Sequence, residues 1–254
     1  MPSTSVIIPC WINDQETLDI TARCIQSFRI SGDQQLVLVD NASLMAGGLL
    51  RSEADIYIRF RKNMGFVPAI NAGIKVATGD MVCLANNDIR VPDNWKQVCR
   101  DIFASDSSIA FVHPKMIDYD EPFNFGEMVA PTGKERWCGN SLSVTMRSFM
   151  ERLKTVETDK EAYPGLFDEN FGVGGGADDW DMWFRVRKLG KTCYTNKTAF
   201  QHKMSHSLKK LGEERQKIVD QNNEYFFQKY GVTKEEMFAK EFPEQVLLPY
   251  LPFP

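Results

Sequence analysis

Three aspartates crowd the run Gly174-Gly175-Gly176-Ala177-Asp178-Asp179-Trp180-Asp181, where a loop of little steric bulk meets a helix start. A carboxylate in that setting can take the proton of an attacking hydroxyl. At helical spacing Asp179, Met182, Val186 and Leu189 fall at i, i+3, i+7 and i+10, so Asp179 is expected to head an inward apolar stripe and to serve as the general base. Asp178, Asp181, Arg185 and Lys188 are expected on the adjoining polar face, with Asp181 and Arg185 paired at i,i+4. Acidic residues in a first turn often only complement the helix dipole. An inward carboxylate beside two others is harder to account for in that way.

Two further clusters suit a metal ion and a diphosphate. Asn86-Asn87-Asp88 follows the apolar run Met81-Val82-Cys83-Leu84-Ala85. Asp88 there can hold Mg²⁺ or Mn²⁺, which neutralises the charge of a diphosphate leaving group; the plainer alternative is a turn or capping aspartate. Gln201-His202-Lys203-Met204-Ser205-His206 carries two of the three histidines. A neutral imidazole from His202 or His206 can complete that coordination, against the more frequent hydrogen-bonded structural histidine. No HExxH is present, which argues against a zinc protease. Asp40-Asn41-Ala42-Ser43 closes the strand-like Leu36-Val37-Leu38-Val39, and its carboxylate can accept the imide N–H of uracil or thymine or else form an Asx turn.

These residues need elements to position them. Ser5-Val6-Ile7-Ile8-Pro9 reads as a buried strand, followed by a helix whose capping box is Asn13 and Glu16. Residues 36–39, 56–58 and 81–85 read as further strands, with a helix carried by Phe66, Ile70, Ile74 and Ala77 before the last of them. Strand and helix alternate, which predicts parallel pairing and ligands beyond the strands' carboxyl ends. Residues 103–146 predict mixed strands with an acceptor-side loop, and a helix is expected from about Asp178 to Leu189. The expected organisation is one catalytic domain over residues 1–207 (nucleotide-binding half 1–100, acceptor and catalytic half 101–207), with residues 208–254 a helical tail.

Composition bounds the rest. The chain has 254 residues, 43% hydrophobic and 25% charged, which suits one α/β domain with a sizeable core. A formal net charge of -4 without a long basic block gives no general electrostatic footprint for nucleic acid. Six scattered cysteines with no CxxC argue for reduced thiols rather than a disulfide frame. The start lacks a basic leader with a long apolar run, and no stretch approaches the ~20 apolar residues of a membrane span, so a cytoplasmic location is expected.

In order and spacing these pieces resemble family 2 of the glycosyltransferases, the large GT-A group of nucleotide-sugar transferases, over about residues 4–207. The matching pieces are Val6-Ile7-Ile8-Pro9 with Asn13 and Glu16; Val39-Asp40-Asn41-Ala42-Ser43; Asn63-Met64-Gly65-Phe66 with Asn71 and Gly73; and Ala77-Thr78-Gly79-Asp80. They continue through Leu84-Ala85-Asn86-Asn87-Asp88, Phe167-Asp168-Glu169-Asn170-Phe171, Asp178-Asp179-Trp180-Asp181 with Arg185, and His202. The resemblance implies a Rossmann-like mixed central sheet flanked by helices and a Mn²⁺- or Mg²⁺-dependent, inverting transfer from a UDP- or dTDP-sugar. It places Pro9, Asp40, Asn63, Asn71, Asn86, Asn87, Gly175 and Gly176 at the donor, Asp88 and His202 at the metal, and Asp179 at the catalytic position. Asn86 stands where the family's DxD has its first aspartate, and Asp178 where a glutamate is usual. The GGxDD run also looks like the GGEDD stretch of galactosyltransferases.

Two other function classes fit less well. A nucleotidyltransferase would carry a Gly-rich basic loop near the first strand, and residues 6–16 hold neither glycine nor a basic residue. A nucleotide-sugar-binding module without chemistry would have no need of Asp88, Asp179 and His202 together. Arg136, Trp137, Asn140 and Asp178 are the candidates for contacting the acceptor hydroxyl's owner. A polysaccharide, a glycolipid precursor, a protein and modified DNA all stay open for that role.

Overall fold

The computed structural model describes residues 3–45, 47–123, 141–156, 166–173, 175–186, 191–203, 212–233 and 235. Arg136, Trp137, Asn140, Gly174 and His206 lie outside them. The first half alternates as its apolar runs predict: β1 (Thr4–Cys10), α1 (Gln15–Ile30), β2 (Gln35–Asp40), α2 (Gly47–Glu53), β3 (Ile56–Arg59), α3 (Phe66–Val76) and β4 (Met81–Ala85). The cap of α1 is one residue later than the sequence suggests. Asp14 accepts the N–H of Thr17 at 2.9 Å, while Asn13 accepts the N–H of Leu44 instead.

The second half adds β5 (Ile89–Arg90), α4 (Trp95–Ser105), β6 (Ile109–Asp118), β7 (Leu142–Met146), α5 (Arg147–Val156), α6 (Asp178–Val186), β8 (Lys191–His202) and α7 (Gly212–Tyr230). One eight-stranded sheet results, in the order β3-β2-β1-β4-β7-β6-β8-β5. β1 pairs in parallel with β2 and β4, and β2 with β3. β7 lies antiparallel between β4 and β6, β8 returns parallel to β6, and β5 closes antiparallel on β8. Six strands therefore share a direction, and their carboxyl ends share one edge of the sheet.

Alternation along β1 shows how the sheet is covered. Val6 and Ile8 face the core shared with Phe28 of α1 and Trp95 of α4, whereas Ile7 faces the core shared with Ile70 of α3 and Met182 of α6. Gly73 lets α3 press onto that second face, since a Cβ there would sit 2.3 Å from Ile7 Cγ2. The helix expected to be part of a tail belongs to the same core: Phe226 of α7 is fully buried, with its ring centroid 5.6 Å from that of Trp180. Residues 212–230 thus pack, as α7, on the same core as α3 and α6.

Candidate functional site

The shared edge gathers the residues that end each strand. Pro9 stands beside Val39 in the β1–β2 ladder, Asp40 ends β2, Arg59 ends β3, Asn86 to Asp88 follow β4, and His202 ends β8. Asp40 has no exposed surface. Its Oδ1 accepts the N–H of Ser43 at 2.8 Å, and its Oδ2 accepts the Tyr57 hydroxyl at 2.7 Å and a nitrogen of Arg59. The carboxylate expected to be free for a base is covered, and the groups at the surface there are Arg59 and Tyr57. Burial together with this acceptor beside it raises the Tyr57 hydroxyl's pKa.

Asp88 is in the opposite condition. Its Oδ1 and Nε2 of His202 approach to 3.2 Å, both side chains are 8% exposed, and neither atom has a hydrogen-bond partner among the described residues. Backbone pairing fixes the approach, because the N–H of Lys203 bonds to the carbonyl of Asp88 at 3.0 Å and Ile89 pairs with His202. Nδ1 of His202 lies 3.3 Å from Sδ of Met116. With the proton on Nδ1, Nε2 is a bare acceptor facing a carboxylate oxygen. Two buried acceptors in contact fit a cation between them: adjacent donors ~2.1 Å from a small octahedral ion lie ~3.0 Å apart. Among the described residues no third His, Cys, Asp or Glu joins them.

Other expected donor residues have different positions. Asn87 is buried, and its Nδ2 donates to Thr21 of α1 at 2.8 Å. Asn71 is wholly buried and saturated: Nδ2 donates to the Phe167 carbonyl and to Glu169, and Oδ1 accepts the N–H of Phe167. As placed, its amide ties α3 to residues 167–169, and a donor contact through it would have to break those bonds. Asn63 shapes the turn before α3 by accepting the N–H of Gly65. Asn41, buried, holds the same turn through Met64 N–H and the Gly65 carbonyl.

That turn touches the loop leading to α6. A Cβ on Gly65 would lie 3.1 Å from Cα of Val173, so the start of α3 at the sheet's carboxyl edge and Val173 are in contact. Gly175 and Gly176 take φ of 79° and 128°, backbone that L side chains rarely adopt. The chain then enters α6 with three aspartates in its first turn.

The structure rotates the expected face of that helix. Asp178, Asp181, Met182 and Arg185, at i, i+3, i+4 and i+7, are the buried set, while Asp179 is only partly buried. The polar face turns inward because partners wait there. Asp181 accepts Nε of Arg185 at 2.9 Å, the Tyr230 hydroxyl at 2.8 Å, and Nζ of Lys229. Among the described residues Asp178 and Asp179 have no such cations. Burial and then the neighbouring Asp179 charge push Asp178 well above the carboxylate range, and burial raises Asp179 to about 7 against the N–H groups of Trp180 and Asp179 itself. Asp179 is thus the carboxylate that is both reachable and ionisable near neutral pH. No hydrogen bond or ion pair joins it to the Asp88–His202 pair among the described residues.

Several residues of this edge escape a sequence reading. The Arg90 guanidinium and the Lys203 ammonium lie 5.8 and 5.6 Å from the ring centre of Tyr119, and neither is in an ion pair among the described residues. Both neighbour the metal candidates in sequence, which is the only local signal they give. Asn222 and Lys229 give none, being dozens of residues from their partners.

Comparison with known proteins agrees with this architecture. An N-acetylglucosaminyltransferase of Bradyrhizobium elkanii is 31% identical over 145 residues, 54% of this chain and 72% of that protein. Residues 1–349 of S. aureus TarS superpose with a TM-score of 0.58 at 13% identity, covering 96% of this chain and 77% of that one. The Pyrobaculum calidifontis mannosyltransferase PcManGT, solved with GDP-Man and Mn²⁺, gives 0.58 at 16%, covering 89% and 64%. The fold is GT-A. Residues 5–163 match the model of Glycosyl transferase family 2, and the chain belongs to that family.

Proposed function

We propose that the protein transfers a sugar from a UDP- or dTDP-sugar to an acceptor hydroxyl with inversion, using a divalent cation. The observation that carries this reading is the facing pair of unsatisfied buried acceptors, Asp88 Oδ1 and His202 Nε2, on the same sheet edge as the β1 and β2 ends. When bound there, Mn²⁺ or Mg²⁺ supplies charge neutralisation for the departing diphosphate. Arg90 and Lys203, both over the Tyr119 ring, add positive charge near Asp88 and His202 in the chain. Arg59 and Tyr57, locked on Asp40, form the rim against which a base would rest, with Pro9 below it and Asn86 at its side. Gly175 and Gly176, in left-handed backbone, shape the loop next to α6 beside which the sugar would lie.

Asp179 accepts the proton of the acceptor hydroxyl as that oxygen attacks the anomeric carbon from the face opposite the nucleotide. Its place at the open margin of α6 and a pKa near neutral suit a base that works at pH 7. Asp178, buried and with its carboxyl pushed well above the usual range, stands beside it as a supporting residue rather than a second base. A panel of UDP-, dTDP- and GDP-sugars, assayed for donor hydrolysis and transfer with Mn²⁺ and with EDTA, tests the proposal. The N-acetylglucosaminyltransferase relative makes UDP-N-acetylglucosamine the first donor to try. Turnover in EDTA equal to that in Mn²⁺ would remove the metal role, and turnover of GDP-sugars alone would remove the pyrimidine preference.

A further inference from the structure

We infer that Asn222 and Lys229 of α7 are positioning residues for Asp179, so that α7 is part of the catalytic centre. The inference rests on Asp179 as the base. Asn222 is buried and clasps the loop before α6 from both sides: its Oδ1 accepts the N–H of Gly172 at 2.8 Å, and its Nδ2 donates to the carbonyls of Gly175 at 2.7 Å and Gly172 at 3.3 Å. The fit is close, since a Cβ on Gly176 would stand 3.0 Å from Cβ of Asn222. A loop built of glycines has no side chains of its own to fix it. Asn222 supplies the hydrogen bonds that such side chains would otherwise make.

Lys229 acts on the other side of α6. Its ammonium lies between Asp181, with which it is in direct contact, and Asp168 at 3.1 Å. Tyr225 donates to Asp168 at 2.8 Å, Tyr230 donates to Asp181, and Arg185 bonds both Asp181 and the Leu166 carbonyl. Two carboxylates, Asp168 and Asp181, are thereby matched by two cations, Lys229 and Arg185, in a region where isolated charge is costly. The charged groups clustered at the start of α6 are Asp178 beside Asp179, Asp181 with Arg185 on the same helix, and Lys229 from α7, which joins Asp181 to Asp168. Removing the Lys229 charge leaves this set one unit more negative. Asp179 then holds its proton to higher pH and is less available as a base at pH 7.

Lys229→Met, Lys229→Arg, Tyr230→Phe and Asn222→Ala, each confirmed as folded by circular dichroism, test this through two readouts. The first is ¹³C-carboxyl titration of Asp179, which does not depend on turnover, and the second is the pH profile of kcat and KM with the best donor. Lys229→Met should move the Asp179 midpoint and the acid limb of kcat upward together, with activity recovering at alkaline pH, and Lys229→Arg should restore both. Asn222→Ala should lower kcat by up to ~10²-fold through misplacement of the loop, with the acid limb in place. Should Lys229→Met not fold, Tyr230→Phe carries the same test with a smaller upward shift. An unchanged midpoint in Lys229→Met, or in Tyr230→Phe where that variant stands in, overturns the role of Lys229. Wild-type kcat and KM in Asn222→Ala overturn that of Asn222. A wild-type protein that turns over no donor sinks the transferase reading instead, and the titration still decides the electrostatic role of α7.

Discussion

In the half built from β1 to β4, the buried polar side chains near the strand ends are satisfied within the chain. Asp40 holds Ser43, Tyr57 and Arg59, Asn71 holds Phe167 and Glu169, and Asn87 holds Thr21. Where β5 and β8 meet, and at the start of α6, the opposite is found. Among the described residues, Asp88 Oδ1 and His202 Nε2 have no hydrogen-bond partner, and Asp178 and Asp179 lack the cations that surround Asp181. A saturated group costs little to bury and is a scaffold; an unsatisfied one marks where a bound ion or substrate completes the set. The same residue type, aspartate, thus has different roles at positions 40, 88, 179 and 181.

The sharpest way to break this contrast is at the unsatisfied pair. EDTA is expected to abolish transfer, and Asp88→Ala is expected to lose the rise in melting temperature that Mn²⁺ gives the wild type. The metal-induced shift is the decisive measurement, because it reads binding without turnover. An equal shift in the variant would return Asp88 to the scaffold class.

Next in size is Asp179→Asn, which keeps the shape but cannot take the hydroxyl proton. The rate should fall about 10²–10⁴-fold, with donor affinity by calorimetry preserved. A dead Asp178→Asn beside an active Asp179→Asn would exchange their roles. The pH dependence follows with a definite sign. Because burial raises Asp179 from 3.8 to about 7, the folded protein keeps a proton that the unfolded chain has released. Stability from this group therefore falls as pH rises from 3.8 to about 7, while the transfer rate climbs through about pH 7. Chemical denaturation and initial rates across that window should show both trends, and Asp179→Asn should flatten both.

Scaffold residues should behave differently. Asn71→Ala leaves the N–H and carbonyl of Phe167 without their partner, at a cost of about 1–3 kcal/mol per buried group in denaturant unfolding, with donor affinity little altered. A large loss of donor binding with wild-type stability would instead place Asn71 at the ligand. The smallest effect is expected for Arg59→Ala, a few-fold loss of UDP affinity by calorimetry with the fold intact. If the loss is as great for GDP, Arg59 does not discriminate bases.

By itself the sequence determined the features that repeat over a few residues. Short continuous apolar runs placed β1, β2 and β4, helical spacing placed α3 and the start of α6, and strand–helix alternation predicted the parallel sheet with its polar groups on one edge. The places of Asp88 and His202 at strand ends have a local signal, since Asp88 stands between β4 and β5 and His202 ends β8. Tertiary structure alone decided which polar groups are spent. Tyr57 and Arg59 reach Asp40 from 17 and 19 residues away, and Lys229 and Tyr230 reach Asp181 from 48 and 49. Helical periodicity turns charged residues toward water only while no buried counter-charge is supplied. In α6 Lys229 supplies one from α7, and Asp181 lies inward against it. Local spacing fixes where a side chain points along its own element. Whether it is paired there depends on what the rest of the chain brings to the same place, and that is a property of the packed fold.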